Sequence, residues 1–441
     1  MPYALGLDIG SSSIKGAILD LDCGTVGPPV TRPFPSPLDG LPAGWFEVAP
    51  TEIEAAACEV ISELLRQAPA PVGLYVSGQM GGTVLVDESG AALGNYLSWR
   101  DQRTRAPLPH GESSCLDAMR TRWGDDVLRA LGNELQPGST TSLLFWLAQN
   151  DQLERRGMPV SVADYVIGCL GGRTGARPTM HVTQAIGMLD LATSGWHRGA
   201  FDLLGLGSVP LPDLVERIEP QVIAEIGGHE FPVFGAYGDQ QTALCGAGLE
   251  PEELSLNIST GSQVSQRTSQ WQPGRYQSRR YFFGDWLNTV THLPAGRSLN
   301  VLFDLLTELA TAAEVTLCDP WKHLMDKVAA VPDTGLDVDL TFFAGPLGDR
   351  GRIDGITTEN LNAGALFYAA FRNMTANYAR CAEWLDPKGV ATSLVLSGGL
   401  TKSAPVLRRM ITERFEKPVR EAEGEETLLG LLRLARGVFT K

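Results

Sequence analysis

Residues 4–19, ALGLDIGSSSIKGAIL, run from an apolar strand through a carboxylate and a turn of small residues into a second strand. Leu5, Leu7 and Ile9 alternate with Gly6, Asp8 and Gly10, the period-2 pattern of a strand. The turn Gly10-Ser11-Ser12-Ser13 has no bulky side chain, so its backbone N–H groups can approach an anion closely. The serine hydroxyls and Lys15 add further donors, which makes the turn a phosphate cradle. Asp8, beside it, is placed to hold hydrated Mg²⁺, an ion that keeps several waters and takes one or two carboxylates. Taken alone, the stretch also fits a plain β-hairpin with a Ser-rich turn.

Residues 254–267, LSLNISTGSQVSQR, repeat the device around Ser259-Thr260-Gly261-Ser262. In a chain of 441 residues, long enough for two or three domains, two such hairpins predict a duplicated fold whose halves clasp one nucleotide.

With these two hairpins the chain resembles the FGGY sugar kinases of the actin-like ATPase superfamily. The resemblance implies an α/β fold of two ribonuclease-H-like domains with a nucleotide and sugar cleft between them. Residues 1–249 would carry the first phosphate hairpin, the sugar site and the catalytic Asp, and residues 250–441 would bind nucleotide. ATP and Mg²⁺ are the implied cofactors, and a small sugar the implied partner. The implied nucleotide contacts are Asp8, Gly10, Ser11, Ser12, Ser13, Lys15, Thr260, Gly261, Gly398 and Gly399, with Asp8 and Asp239 at the metal.

Composition agrees with a cytoplasmic enzyme. At 43% hydrophobic residues the chain can bury two sizeable cores. No stretch approaches ~18 apolar residues, so no transmembrane helix is expected. MPYALGLDIG lacks a basic leader and enters a strand at once, so no signal peptide is expected. The 7 cysteines are scattered without a CxxC pair, as in a reducing compartment. A net charge of −15 opposes association with nucleic acid or anionic membranes, but not with a nucleotide held by local N–H groups and Mg²⁺. Oligomeric state stays open, a homodimer included.

Residues 25–50 are rich in Pro and Gly and read as a surface excursion. TEIEAAACEVISELLRQA (51–68) has helical period and opens with Thr51 and Glu54 in capping-box spacing. A strand over 72–79 ends at Gly78-Gln79-Met80-Gly81-Gly82, and another near 231–238 ends at Gly238-Asp239 before a helix. This order predicts an α/β domain with functional loops at strand ends. A helical run is expected over 360–385. Beyond it, residues 391–415 place an apolar strand before Gly398-Gly399 and a helix with Pro405 in its first turn. In the resembling kinases this segment contacts adenosine, and Glu425-Glu426 matches the acidic start of their last helix.

Gly78-Gln79-Met80-Gly81-Gly82 resembles the family's GQMHG loop, with Gly81 where His is usual. Trp99-Arg100-Asp101-Gln102-Arg103 resembles its WxDxR stretch, which lines the sugar pocket; the plain alternative is a surface loop with an ordinary Asp–Arg pair. TTSLLFWLAQN (140–150) resembles a signature helix, with Leu143 in place of Lys and Trp146 read as core. The resemblance thus gives Gln79, Met80, Trp99, Arg100, Asp101, Asp239 and Gln240 as sugar-site residues.

Asp239, in the GD motif, corresponds to the Asp that accepts the proton of the attacking hydroxyl. Phosphoryl transfer has a loose transition state, so a carboxylate of ordinary pKa (~3.9) suffices. The alternative is a helix cap. Gly238-Asp239-Gln240-Gln241, LNISTGSQ and residues 177–197, Gln184 included, resemble heptulose kinases, which gives sedoheptulose as the expected acceptor and xylulose or ribulose as alternatives. An actin-like or chaperone-like ATPase would use the same hairpins without a sugar site, and a non-catalytic sugar binder would lack the intact Asp8, Lys15, Thr260 and Asp239. HExxH, Cys/His metal spacing and GxSxG are absent, so metalloprotease, zinc-module and serine-hydrolase readings have no support.

Overall fold

The computed structural model describes residues 2–109, 111, 113–154, 156–172, 177–422 and 424–439. Both expected hairpins form. Tyr3–Ile9 pairs antiparallel with Ser13–Asp20, and Glu253–Ile258 pairs antiparallel with Ser262–Thr268. Each hairpin seeds a sheet of the same connectivity. In the first, Tyr3–Ile9 pairs on its other side, in parallel, with Leu74–Gly78, which in turn pairs in parallel with His229–Gly238. In the second, Glu253–Ile258 pairs in parallel with Ser393–Ser397, and that strand with Val419–Glu421. Pro220–Ile226 extends one edge of the first sheet, and Trp286–Leu293 with Gln277–Arg280 extends the second. The repeated order is the duplicated ribonuclease-H-like arrangement, a mixed α/β fold in two lobes.

Two local expectations give way. The Pro/Gly-rich stretch supplies strands Thr25–Val26 and Val30–Pro33 beside Ser13–Asp20. Its prolines are tolerated there because an edge strand need not donate from every residue. The helix expected from Thr51 spans Pro50–Gln67, with Ala49 at its N-cap and no side-chain cap. Proline, with no N–H to satisfy and φ preset, starts the helix one residue early, so the Thr51/Glu54 capping box does not form. Ile53, Ala57, Val60, Ile61 and Leu64 then bury one face in the first core.

Residues on both sides of position 249 share a core. The last helix, Glu426–Phe439, returns from the second sheet, and its Leu428, Leu431, Leu432, Leu434 and Ala435 share one core with Ala4, Ala17, Leu19 and Leu244 of the first half and Leu287 and Val395 of the second. It meets the helix Asp239–Gly246 backbone to backbone: a Cβ at Gly246 would lie 2.6 Å from the Gly430 nitrogen. A third core, in the segment between the first lobe's strands, packs Cys115, Met119, Trp123 and Leu143–Leu147. Trp146 lies in it, edge-on to Trp45 at 5.1 Å, as expected of a core residue. Among the described residues no helix is long and apolar enough to cross a membrane.

Leu431 is fully buried at the junction of the two halves. Leu431→Ala is expected to lower unfolding free energy by about 2–5 kcal/mol. Denaturant titration checks this, and an unchanged midpoint would show that the helix does not join the lobes.

Candidate active site

The parallel register of the first sheet brings Asp8, Gln79 and Asp239 to one rim. Ile9 is opposite Gly78, and Gly78 opposite Gly238, so the residues at these strand ends are neighbours although they are far apart in sequence. The Gly10-to-Ser13 turn closes through Gly10 N–H donating to the Ser13 carbonyl at 3.0 Å. Gln79 is 1% exposed; its N–H donates to the Ile9 carbonyl at 3.0 Å and its Nε2 to the Gly10 carbonyl at 3.4 Å. Lys15 Nζ meets Glu425 Oε2 at 2.9 Å, tying this hairpin to the start of the last helix.

The two acids are electrostatically perturbed. Burial, then repulsion by Asp239, pushes the Asp8 carboxyl up to about 8, against the pull of Lys15. Burial pushes Asp239 up to about 6, opposed by a hydrogen bond from the Gln240 N–H and by the charge of Arg279. The Asp239–Gly246 helix has Gly238 at its N-cap, and Asp239 Oδ1 accepts from the first-turn Gln240 N–H at 2.7 Å. Asp8 Oδ1 is buried without a hydrogen-bond partner, and so are the Oε1 atoms of Gln79, Gln184 and Gln241. Gln184 Nε2 donates to the Gly78 and Tyr237 carbonyls at 2.9 and 3.0 Å, and a Cβ at Gly238 would lie 2.6 Å from Gln241 Oε1 and from Met80 Sδ. The orphaned atoms therefore gather around the two strand ends. All four are acceptors. Each buried acceptor left unpaired costs about 1–3 kcal/mol, so the rim is built for a ligand rich in donors or for a cation. Two coupled carboxylates, one with a free oxygen, fit a hydrated divalent ion that takes few protein ligands.

In the second lobe Thr260 and Gly261 lie exposed on their turn, and a Cβ at Gly261 would meet nothing within 4 Å. Parallel pairing of Asn257 with Ser397 sets Gly398-Gly399 beside that turn, and Asn257 Nδ2 donates to Ser397 Oγ at 2.8 Å. Gly398 has φ +91°, and any Cβ there would overlap the Ile258 backbone, so only glycine lets the two segments lie this close.

Two expected sugar contacts need correction. Asp101 is fully buried, and its oxygens accept from Phe46 N–H, Arg103 N–H, Arg103 Nε and Arg103 Nη2 at 2.7–2.9 Å. With about four acceptor positions per carboxylate, none is left for a sugar. Gln240 is likewise committed, its Nε2 to Gln263, Ser265 and Thr289 of the second sheet and its Oε1 to Arg279. The neighbours differ: Trp99 is 39% exposed, and the exposed Arg100 guanidinium lies 4.5 Å above the Phe46 ring. Gly81 has φ +74°, with its Cβ position 3.2 Å from the Gly138 carbonyl and from Trp99 Cβ, so a histidine there would be strained.

The polar bond between the lobes has no signature in the sequence. Arg279, on the second sheet, makes a bidentate ion pair with Glu134 of the first half and also holds Gln240. Gln277 Nε2 adds a hydrogen bond to Glu134 at 2.8 Å. These partners lie too far apart in sequence for spacing to show them.

A two-lobed molecule with paired hairpin turns facing a polar rim is the architecture of the actin-like sugar kinases. Residues 3–246 match the N-terminal domain of the FGGY family of carbohydrate kinases, and the chain belongs to that family. It is 27% identical over 271 residues to a glycerol kinase of Gloeobacter violaceus, covering 58% of this chain and 51% of that one. It is 27% identical over 323 residues to a xylulose kinase of Lactococcus lactis, covering 68% of this chain and 61% of that one. The chain thus spans little more than half the length of these curated relatives. In fold it is similar to the ligand-bound xylulose kinase from Lactobacillus acidophilus, with TM-score 0.85 and 18% identity over 99% of this chain and 89% of that one.

Asp101→Asn is expected to cost about 1–3 kcal/mol of stability, because buried donors of Phe46 and Arg103 lose an acceptor while Arg103 keeps only its pair with Glu47 at 2.6 Å. The unfolding midpoint checks this. A large rise in KM for the acceptor with unchanged stability would return Asp101 to the sugar.

Proposed function

We propose that the protein transfers the γ-phosphate of Mg·ATP to a terminal hydroxyl of a polyhydroxylated small molecule, a ketose in the first instance. The observation that carries this reading is the set of four orphaned acceptors around Asp8, Gly78 and Gly238, which a ligand dense in hydroxyls would satisfy. A water-hydrolysing ATPase has no use for them.

In this reading the sugar lies at the rim of the first sheet, against Gln79, Met80 and Trp99, with Arg100 at its edge. Asp239 orients the attacking hydroxyl and takes its proton as the O–P bond forms and the ADP oxygen departs. The turns at Ser11–Ser13 and Thr260–Gly261 supply N–H donors to the phosphates from both sides, and Lys15 adds a charge. Asp8 and Asp239 would hold Mg²⁺, which offsets charge on the transferring phosphoryl group. Gly398-Gly399 leaves a flat surface for adenine. Approach of the lobes excludes water and suppresses hydrolysis.

Sedoheptulose is the finer proposal, resting on Gly238-Asp239-Gln240-Gln241 and on residues 177–197. Xylulose is supported equally by the relatives. Initial rates of ATP consumption over a panel of C5–C7 ketoses and polyols decide between them. The heptulose proposal expects the highest kcat/KM with the seven-carbon sugar, and a tenfold preference for xylulose or glycerol overturns it.

Asp239→Asn is expected to lower kcat by about 10² or more while binding of both substrates persists, because the role is expressed in the transition state. Near-normal kcat rejects the assignment. Asp239 works ionised, so rates are expected to fall as pH drops through about 6. A profile flat down to pH 4 contradicts this base. Gly261→Val has open space on the protein side, so it is expected to raise KM for ATP without lowering stability. Equal changes in both KM values would show that the turn does not face the nucleotide.

A further inference from the structure

The two phosphate turns are not equal in charge. Lys15 follows the first turn, whereas the second continues as Gln263-Val264-Ser265-Gln266 and brings no cation until Arg267, which pairs with Asp285 at 2.6 Å. A cation reaches the second turn from elsewhere. Arg297 is the second residue of the helix Gly296–Ala312, and its N–H donates to the Thr260 carbonyl at 2.7 Å, beside the Gly296 N–H to the Ser259 carbonyl at 3.0 Å. Its side chain is exposed, and its guanidinium lies 3.6 Å from the centroid of Phe343. The stack holds the planar group flat while leaving its N–H edge to donate. Among the described residues Arg297 makes no ion pair.

A second arginine without a carboxylate partner among the described residues lies in the first half. Arg105 ends the turn Arg103–Arg105, and its Nε donates to the neutral Gln102 Oε1 at 2.7 Å. Arg279 has Glu134 as counter-charge. Among the described residues Arg105 and Arg297 have no carboxylate partner, an uncompensated pair in a chain of net charge −15.

We propose that Arg297 binds the phosphate tail of the nucleotide, supplying the cation that the second turn lacks. The proposal rests on the ATP-binding reading above. A guanidinium on phosphate makes two parallel charge-assisted hydrogen bonds, stronger than the neutral N–H and hydroxyl donors of the turn. Phe343 is the residue that orients it.

The test is equilibrium binding of ATP, ADP and adenosine to the whole chain, with an aldonate sugar acid as a separate arm. In Arg297→Gln the dissociation constants for ATP and ADP are expected to rise about tenfold or more, with adenosine unchanged. Arg297→Lys is expected to recover part of the loss, and Phe343→Leu to lose part of the affinity. The unfolding midpoint is expected to stay unchanged, because the side chain is exposed. Unchanged ATP and ADP affinity, or an equal loss for adenosine, overturns the proposal. Loss confined to the aldonate also overturns it, placing the anion on the acceptor instead. Wild-type protein that binds no ATP would defeat the kinase reading itself, a result distinct from either.

Discussion

Parallel pairing among Tyr3–Ile9, Leu74–Gly78 and His229–Gly238 is the constraint on which the site depends. It aligns Ile9, Gly78 and Gly238, so that Gln79 and Asp239 leave the sheet at one level, just beyond Asp8, which is paired with Ser77 inside the sheet. A one-residue slip in any of the three would turn its polar residue toward the opposite face. The apolar strand interiors fix the register: Leu5, Leu7, Leu74, Val76, Val233 and Ala236 fill the core on one face, and a slip would turn them into the opposite core, which Ala4, Tyr75, Phe234 and Tyr237 already fill. Site geometry is thus set by core packing.

The same economy joins the lobes. The last helix buries leucines against both sheets, while Glu134, Arg279 and Gln240 form a buried polar bridge nearby. Apolar burial is non-directional and tolerates small rotations, whereas a bidentate ion pair fixes orientation. Together they hold the lobes close while defining where the Asp239 helix sits. Gln240, next in sequence to Asp239, belongs to this bridge, so the position of Asp239 is coupled to the contact between halves.

Much of this was legible in the sequence because it is local. The hairpins, the strand ends carrying Asp8 and Asp239, the long helices and the Gly398-Gly399 turn follow from alternation and small-residue turns within a few positions. What escaped depends on distant partners. Asp101 looked like a pocket residue until Phe46 and Arg103 filled its oxygens, and Gln240 until the second sheet claimed it. The capping box at Thr51 and Glu54 was locally correct and lost to Pro50, which starts the helix first. Gly81 departs from the family loop for a backbone reason, a left-handed residue pressed against Gly138 and Trp99, that a one-dimensional pattern does not carry.

The most direct test of the proposed phosphoryl transfer to a hydroxyl is to follow the γ-phosphate itself. Phosphorus-31 NMR of the protein with Mg·ATP, with and without a mixture of ketoses and polyols, separates the two fates of that group. Transfer predicts an acceptor-dependent phosphomonoester resonance growing in step with ADP, with little inorganic phosphate when acceptor is withheld. Inorganic phosphate released at the same rate with or without acceptor would contradict it and leave the molecule an ATPase.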